Sequence, residues 1–164
     1  MAFGDRREAG RALARLLEPY RDNRNVVVLG LPRGGVPVAF EVAQALHAPL
    51  DVFIVRKLGV PGHEEYAMGA TASGGVRVMN PDAAMLRIPE HVIEVVIERE
   101  LREIERRERL YRGSRAPLLL QGRSVILVDD GLATGSTMRA AAMAVRGQHP
   151  EKIIVAVRRS AAPV

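Results

Sequence analysis

Four short runs of the chain are apolar at nearly every position: residues 25–30 (NVVVLG), 51–57 (DVFIVRK), 125–128 (VILV) and 152–159 (KIIVAVRR). A strand buried on both faces has this unbroken pattern, because neither side of its pleat meets water. Elsewhere the apolar residues return every three or four places, as in a helix with one face on a core. Ala9, Leu13, Leu16 and Leu17 repeat in this way as far as Pro19, behind an Asp5-x-x-Glu8 capping pair. Residues 38–46 are helical in pattern, with Pro37 suited to a first turn. The longest helix is predicted over 89–111, with Ile93, Val96, Ile97, Leu101, Ile104 and Tyr111 on one face. Its other face is charged, and Glu98–Arg102, Glu103–Arg107, Glu105–Arg109 and Glu108–Arg112 are spaced i, i+4 in the favoured order. Each such pair supports a helix by about 0.3 kcal/mol, which makes this a solvated, ion-paired face. A further helix is predicted over 136–146.

Strand, turn, helix, strand over 25–57 is a βαβ unit. The whole pattern predicts one α/β domain over 1–164, with a mostly parallel twisted sheet flanked by helices. After Lys57, Gly59, Pro61 and Gly62 punctuate a mobile loop, followed by strand-like pieces at 67–71 and 76–79 that predict a hairpin insertion. Ligands of such sheets sit beyond the carboxyl ends of the strands. Two unusual turns fall there, PRGG (32–35) and DDGLATGST (129–137).

Composition narrows the classes. The chain has 164 residues, and none of its apolar runs approaches the ~18 residues of a membrane span. The N-terminus lacks the apolar core of a signal peptide, and a cysteine count of 0 removes disulfides, thiolate catalysis and Cys-bound zinc, so a cytoplasmic location is expected. The formal charge of +5 invites nucleic acid as a partner. Arginines interleaved with glutamates and an aromatic content of 4% argue against a specific nucleic-acid surface.

The stretch VILVDDGLATGST carries the chemistry. Small residues from Ala133 to Thr137 let backbone N–H groups converge on a phosphate, the next helix adds its positive end, and Thr134, Ser136 and Thr137 add hydroxyls. Asp129 and Asp130, at the strand tip, can accept hydrogen bonds from vicinal ribose hydroxyls or support a hydrated divalent cation. A ribose 5-phosphate moiety satisfies both halves. A Walker B strand also ends in acids, but its partner Gly-x-x-x-x-Gly-Lys-Ser/Thr is absent from the chain. A response-regulator acid pair needs a third aspartate and a lysine at two further strand ends, and neither is found. A purely structural cap at Asp129 leaves Asp130 and the glycine–hydroxyl loop unexplained. His47, His91 and His149 lie far apart in sequence, and the second histidine of His-Glu-x-x-His is missing after His63, so no histidine metal site is expected.

These residues resemble the phosphoribosyl-pyrophosphate signature of the type I phosphoribosyltransferases. The wider pattern LPRGGVPVAFEVAQAL, VRKLGVPGHEEYAMGA and the charged helix is similar to a bacterial subgroup of predicted phosphoribosyltransferases, over about residues 6–157. The resemblance implies that Asp129 and Asp130 bind the ribose hydroxyls directly or through Mg2+. It implies that Ala133, Thr134, Gly135, Ser136 and Thr137 hold the 5-phosphate. The turn at PRGG would bind pyrophosphate, often through a non-proline cis peptide, with Arg33 clamping it, Gly34 and Gly35 allowing close approach, and Lys57 as a second cation beside Arg56. The loop over 58–68 matches the family's flexible catalytic loop, where Glu64 and Glu65 are candidates for stabilising charge or moving a proton, as is His63. Arg158, after the last strand, lies where purine-specific members place a base-reading lysine, which leans the acceptor towards a 6-oxopurine. The resemblance further implies phosphoribosyl pyrophosphate and a nucleobase as partners, and a homodimer.

Two departures qualify the pattern. The chain stops at RRSAAPV where the family domain continues towards the base pocket, and AVRRSAA replaces the apolar, Pro-containing run of the subgroup, so a truncated C-terminus is expected. Two further readings therefore stay open: a non-catalytic module that binds phosphoribosyl pyrophosphate or a nucleotide, and a basic nucleic-acid-binding domain on a retired enzyme fold.

Overall fold

The computed structural model describes residues 5–131 and 135–158. Its main sheet contains β1 (Val26–Gly30), β2 (Leu50–Val52), β6 (Ser124–Asp129) and β7 (Lys152–Val157), all parallel, in the order β2-β1-β6-β7. The unbroken apolar runs are used on both faces. Val27, Leu29, Val125 and Leu127 point to one core with Met138, Ala141 and Val145 of α4 (Ser136–Arg146). Val26, Val28, Ile126 and Val128 point to the other, against Val38, Val42 and Leu46 of α2 (Gly35–Leu46). Alternation along the pleat splits each run between two cores. The amphipathic α1 (Arg6–Leu16) packs on α2 and buries Ala9 and Ala14. Asp5 caps α1 by accepting from the Glu8 N–H at 2.8 Å, so the predicted capping pair forms through that bond.

The expected strand over 51–57 is two strands in two sheets. After β2, the Phe53 N–H donates to Gly30 O at 3.0 Å, and then the Ile54 N–H donates to Ser73 Oγ at 2.9 Å while its carbonyl accepts from the Ser73 N–H at 2.9 Å. The chain is thereby handed to a second, antiparallel sheet of β3 (Val55–Val60), β4 (His63–Ala72) and β5 (Arg77–Met79), in the order β3-β4-β5. An apolar run looks the same whichever sheet receives each half, which is why the break is invisible in the sequence. The loop expected over 58–68 is correspondingly the β3–β4 hairpin. Leu58 and Met68, at its two ends, are fully buried in a third cluster with Val96 and Ile97. The punctuating glycines serve locally: Gly59 sits at register shifts in the ladder, and Gly62 turns the hairpin at φ +83°.

That third cluster is closed by α3 (Glu90–Arg112). All four expected ion pairs along it form, Glu103–Arg107 at 2.9 Å and Glu108–Arg112 at 2.6 Å among them. The charged face is nevertheless not wholly solvated. Glu100 accepts from Arg56 Nε at 2.7 Å, and Arg112, buried, donates to Asp51 at 2.9 Å. Tyr111, expected on the apolar face, is instead exposed beside β2. No helix among the described residues is long and apolar enough to cross a membrane.

Candidate active site

Parallel pairing of β1 with β6 sets Gly30 opposite Val128, so the turns that follow these strands emerge side by side at the carboxyl edge. The Leu31 N–H donates to Val128 O at 2.9 Å and holds them there. The two candidate turns, far apart in sequence, thus become one site.

Their contact is close enough to require glycine. A Cβ on Gly34 would overlap the Asp130 carboxylate, and one on Gly35 would lie 2.6 Å from Val128 O and 3.0 Å from Asp129 Cα. The Pro32–Arg33 peptide is cis, as the resemblance implies. The Gly35 N–H donates to Leu31 O at 2.9 Å, closing the turn as α2 begins. Arg33 is exposed, and no ion-pair partner for it occurs among the described residues.

Asp129 ends β6 half-buried. Its Oδ1 accepts from the Asp130 N–H at 2.8 Å. Burial pushes its carboxyl up to about 6, the charge of Asp130 adds to the rise, and that hydrogen bond opposes it. The Asp130 carboxylate lies 3.4 Å from Arg6 of α1. Sequence reasoning misses Arg6. Its only signal there is a place in the first turn of a helix, and nothing local says that the start of α1 meets Asp130.

Beyond the acids, Gly135 adopts the left-handed conformation at φ +77°, and α4 starts at Ser136 with no side-chain cap. With glycine at the N-cap, no capping side chain accepts from its first N–H groups. Gly135 and Thr137 of the expected phosphate turn are therefore at a helix N-terminus beside the acids. Ala133 and Thr134 lie outside the described residues, as does the side chain of Ser136. Arg158 follows β7, its N–H donating to Asp129 O at 3.3 Å, which sets it on the far side of the acids from PRGG.

Four expected residues do not join this cluster. Lys57 is in mid-β3, opposite Ala70, because the strand that carries it belongs to the second sheet. It lines a cavity of about 420 Å3 with Asn80 and Arg139. Arg56 is engaged by Glu100. Glu64 and Glu65 are exposed near the hairpin tip, Glu64 accepting from the Gly62 N–H at 3.3 Å and Glu65 lying 3.8 Å from His63. No contact among the described residues ties them to the acid pair. A larger cavity, about 660 Å3, opens beside β2 between Phe40, His47 and Tyr111, away from both turns.

Residues 2–160 match the model of the phosphoribosyl transferase domain. The chain belongs to the phosphoribosyl transferase family. It is 47% identical over 156 residues to the "Putative phosphoribosyl transferase" of two Mycobacterium tuberculosis strains, covering 94% of this chain. It spans only about a third, 35%, of the length of those curated relatives. The crystal structure of TT1426 from Thermus thermophilus superposes with a TM-score of 0.82 at 38% identity, covering all of this chain and 87% of the other. The purine phosphoribosyltransferase of Pyrococcus horikoshii shares the fold, with a TM-score of 0.51 at 21% identity over 99% of this chain and 80% of that one. The phosphoribosyl transferase fold thus accounts for the parallel sheet and its flanking helices.

Proposed function

We propose that this phosphoribosyl transferase domain moves the 5-phosphoribosyl group of phosphoribosyl pyrophosphate to a nitrogenous base and releases pyrophosphate. One observation carries the reading: a half-buried acid pair lies between two glycine turns, each opening a helix that has no side-chain cap. Two positive helix ends suit the two phosphate-bearing ends of the donor, and the acids suit the ribose between them. In this reading the turn at 135–137 takes the 5-phosphate. Arg33, with Gly34 and Gly35, takes pyrophosphate. Asp129 and Asp130 orient the ribose hydroxyls, and Arg158 meets the base, a 6-oxopurine by the resemblance noted above.

The residues present also fit Mg2+. Asp129 and Asp130 offer hard carboxylate oxygens, Asp129's ionisation is held back by burial and by its neighbour, and no cluster of three or more acidic, histidine or cysteine ligands occurs among the described residues. Magnesium commonly binds through one or two carboxylates plus substrate phosphates and water. When bound, it would neutralise charge on the pyrophosphate leaving group. The chain's own part is to align the donor. The bond from the anomeric carbon to pyrophosphate breaks, a bond to nitrogen forms on the opposite face, and the configuration inverts. Lys57, Glu64 and Glu65 take part only if the second sheet and its hairpin tip close over the donor, which would also exclude water.

Isothermal titration of Mg2+ with phosphoribosyl pyrophosphate into the wild type and into Asp129→Asn/Asp130→Asn tests the site, with a pyrophosphate-release screen across nucleobases. Binding lost in the variant, with release for one base, is expected. Binding without release for any base would turn the reading to a regulatory nucleotide-binding module, and no binding at all would sink it.

A further inference from the structure

Between α4 and the second sheet lies the cleft of about 420 Å3 that Lys57 lines, and neither the acid pair nor the turn at PRGG contributes to its wall. The register of the second sheet explains why it is there. Val55 pairs with Ala72, and two residues further along β3 Lys57 pairs with Ala70, which pairs in turn with Val78. These two rows share one face, because side chains alternate along a strand. The first row is closed: Ala72 is buried, and Val55 packs with it in the core that holds Ala141, Ala144 and Val145 of α4. The second row is open. Ala70 and Ala140, which line the cleft from the sheet and from the helix, end at Cβ, and Met143 of α4 stays 50% exposed.

Charge at this cleft has one sign. Lys57 and Arg139 line it and no carboxylate does. Neither cation makes an ion pair or a side-chain hydrogen bond among the described residues. Arg56, one residue before Lys57, shows the contrast, since Glu100 of α3 answers it at 2.7 Å. Asn80 Oδ1 accepts from the Asp82 N–H at 3.1 Å, so the NH2 of Asn80 remains as a third donor at the rim. Two cations around one cavity repel each other, and a ligand that brings negative charge removes that cost. An ammonium and a planar guanidinium both suit phosphate oxygens. The rest of the wall is apolar, with Val78, Ala70 and Ala140 beside the Met143 thioether, which makes favourable contacts with aromatic rings. A cavity of this size takes a small molecule.

We propose that this cleft is a second ligand site, separate from the transfer reaction, for an aromatic ring that carries a phosphate group. The ring enters between Ala70 and Ala140 against Met143, and the phosphate lies between Lys57 and Arg139. Arg139 is its anchor. A neutral ring leaves both cations unanswered, and a bare phosphate leaves the apolar wall wet, so each half alone binds more weakly than the two joined. The ligand touches β3 and β4 on one side and α4 on the other, and its occupancy fastens the second sheet to the helix that follows the acids.

Methionine methyl NMR tests this at a single residue, because Met143 lines the cleft while Met138 is buried in the core on the parallel sheet, next to the phosphate turn. The probes are 1-naphthyl phosphate, 1-naphthol and inorganic phosphate. Each is titrated into wild type, R139Q, R139K and Asp129→Asn/Asp130→Asn, with Met143→Leu to assign the signal. The naphthyl phosphate should shift Met143 and bind at least tenfold tighter than either half. R139Q should weaken it tenfold or more, and R139K and the acid-pair variant should stay within threefold of wild type. Affinity of R139Q for Mg2+ with phosphoribosyl pyrophosphate should also stay within threefold. A silent Met143, a shift at Met138 alone, equal binding of inorganic phosphate, or binding untouched in R139Q would each overturn the proposal. So would loss of the probe in the acid-pair variant or loss of the donor in R139Q, either of which would make the cleft part of the donor site. A wild type that takes the probe at Met143 and ignores the donor would bring down the transfer reaction and leave this site standing.

Discussion

At the scale of single residues, burial sets the ionisation of Asp129. Its carboxyl is raised to about 6, chiefly by burial, above an unfolded value of 3.8. The ionised form is therefore the one the fold disfavours. This group's contribution is most favourable below pH 3.8, declines as pH climbs towards about 6, and stays low above it. Asp129→Asn should consequently gain on the wild type in thermal midpoint at pH 8 and lose that advantage by pH 4. Ligand binding should run the opposite way: affinity for Mg2+ with phosphoribosyl pyrophosphate should rise with pH through about 6, measured by titration across pH 5–8. The two glycines of the first turn separate structure from function. At Gly35 the obstacle is backbone, Val128 O at 2.6 Å, so Gly35→Ala should cost about 1–3 kcal/mol in urea unfolding. At Gly34 the obstacle is the Asp130 side chain, which can swing away. Gly34→Ala should leave the urea midpoint nearly unchanged and weaken donor binding at least tenfold.

Among elements, the tie between β2 and α3 is the one that sequence pattern undervalues. Asp51 Oδ1 accepts from Arg112 Nε and from its own neighbour's N–H, on Val52, while Oδ2 accepts from the Leu118 N–H at 2.9 Å. Arg112 also reaches Glu108 at 2.6 Å, and its side chain is only 9% exposed. Removing one member of a buried, fully bonded cluster leaves the others uncompensated, so Asp51→Ala should cost about 3 kcal/mol in denaturant unfolding. Arg102→Ala, at an exposed pair of the same i, i+4 type, should cost less than about 0.5 kcal/mol. Spacing predicts the two helix pairs, Glu98–Arg102 and Glu108–Arg112, equally; burial separates them. The same holds for Arg56, a candidate pyrophosphate ligand by its place after an apolar run, which Glu100 of α3 holds at 2.7 Å.

Over the whole molecule, two sheets divide the labour. The parallel sheet carries the acids and both helix N-termini, and the antiparallel sheet carries Lys57, Glu64 and Glu65 on a separate core of Leu58, Met68, Val96 and Ile97. If the hairpin closes over a bound donor, amide exchange over residues 59–66 should slow on adding Mg2+ with phosphoribosyl pyrophosphate, while β1 and β6 stay protected throughout. Exchange unchanged in that segment would remove Glu64 and Glu65 from the reaction.

Much of this was legible in the chain itself. Apolar runs with no polar break dictate strands buried on both faces, helical periodicity dictates α1, α2, α3 and α4 to within a few residues, and acids followed by glycines and hydroxyls mark the strand end where the candidate site lies. All of these are local, each written within its own short stretch of chain. The sequence could not tell that residues 51–57 serve two sheets, because Val52 and Val55 are equally apolar and only their partners, Gly30 on one side and Ala72 on the other, differ. Nor could it tell that Arg6 lies on Asp130, or that Gly34 exists to make room for that carboxylate. Those contacts join residues distant along the chain, and only the packing of α1 and α2 against the carboxyl edge of the parallel sheet decides them.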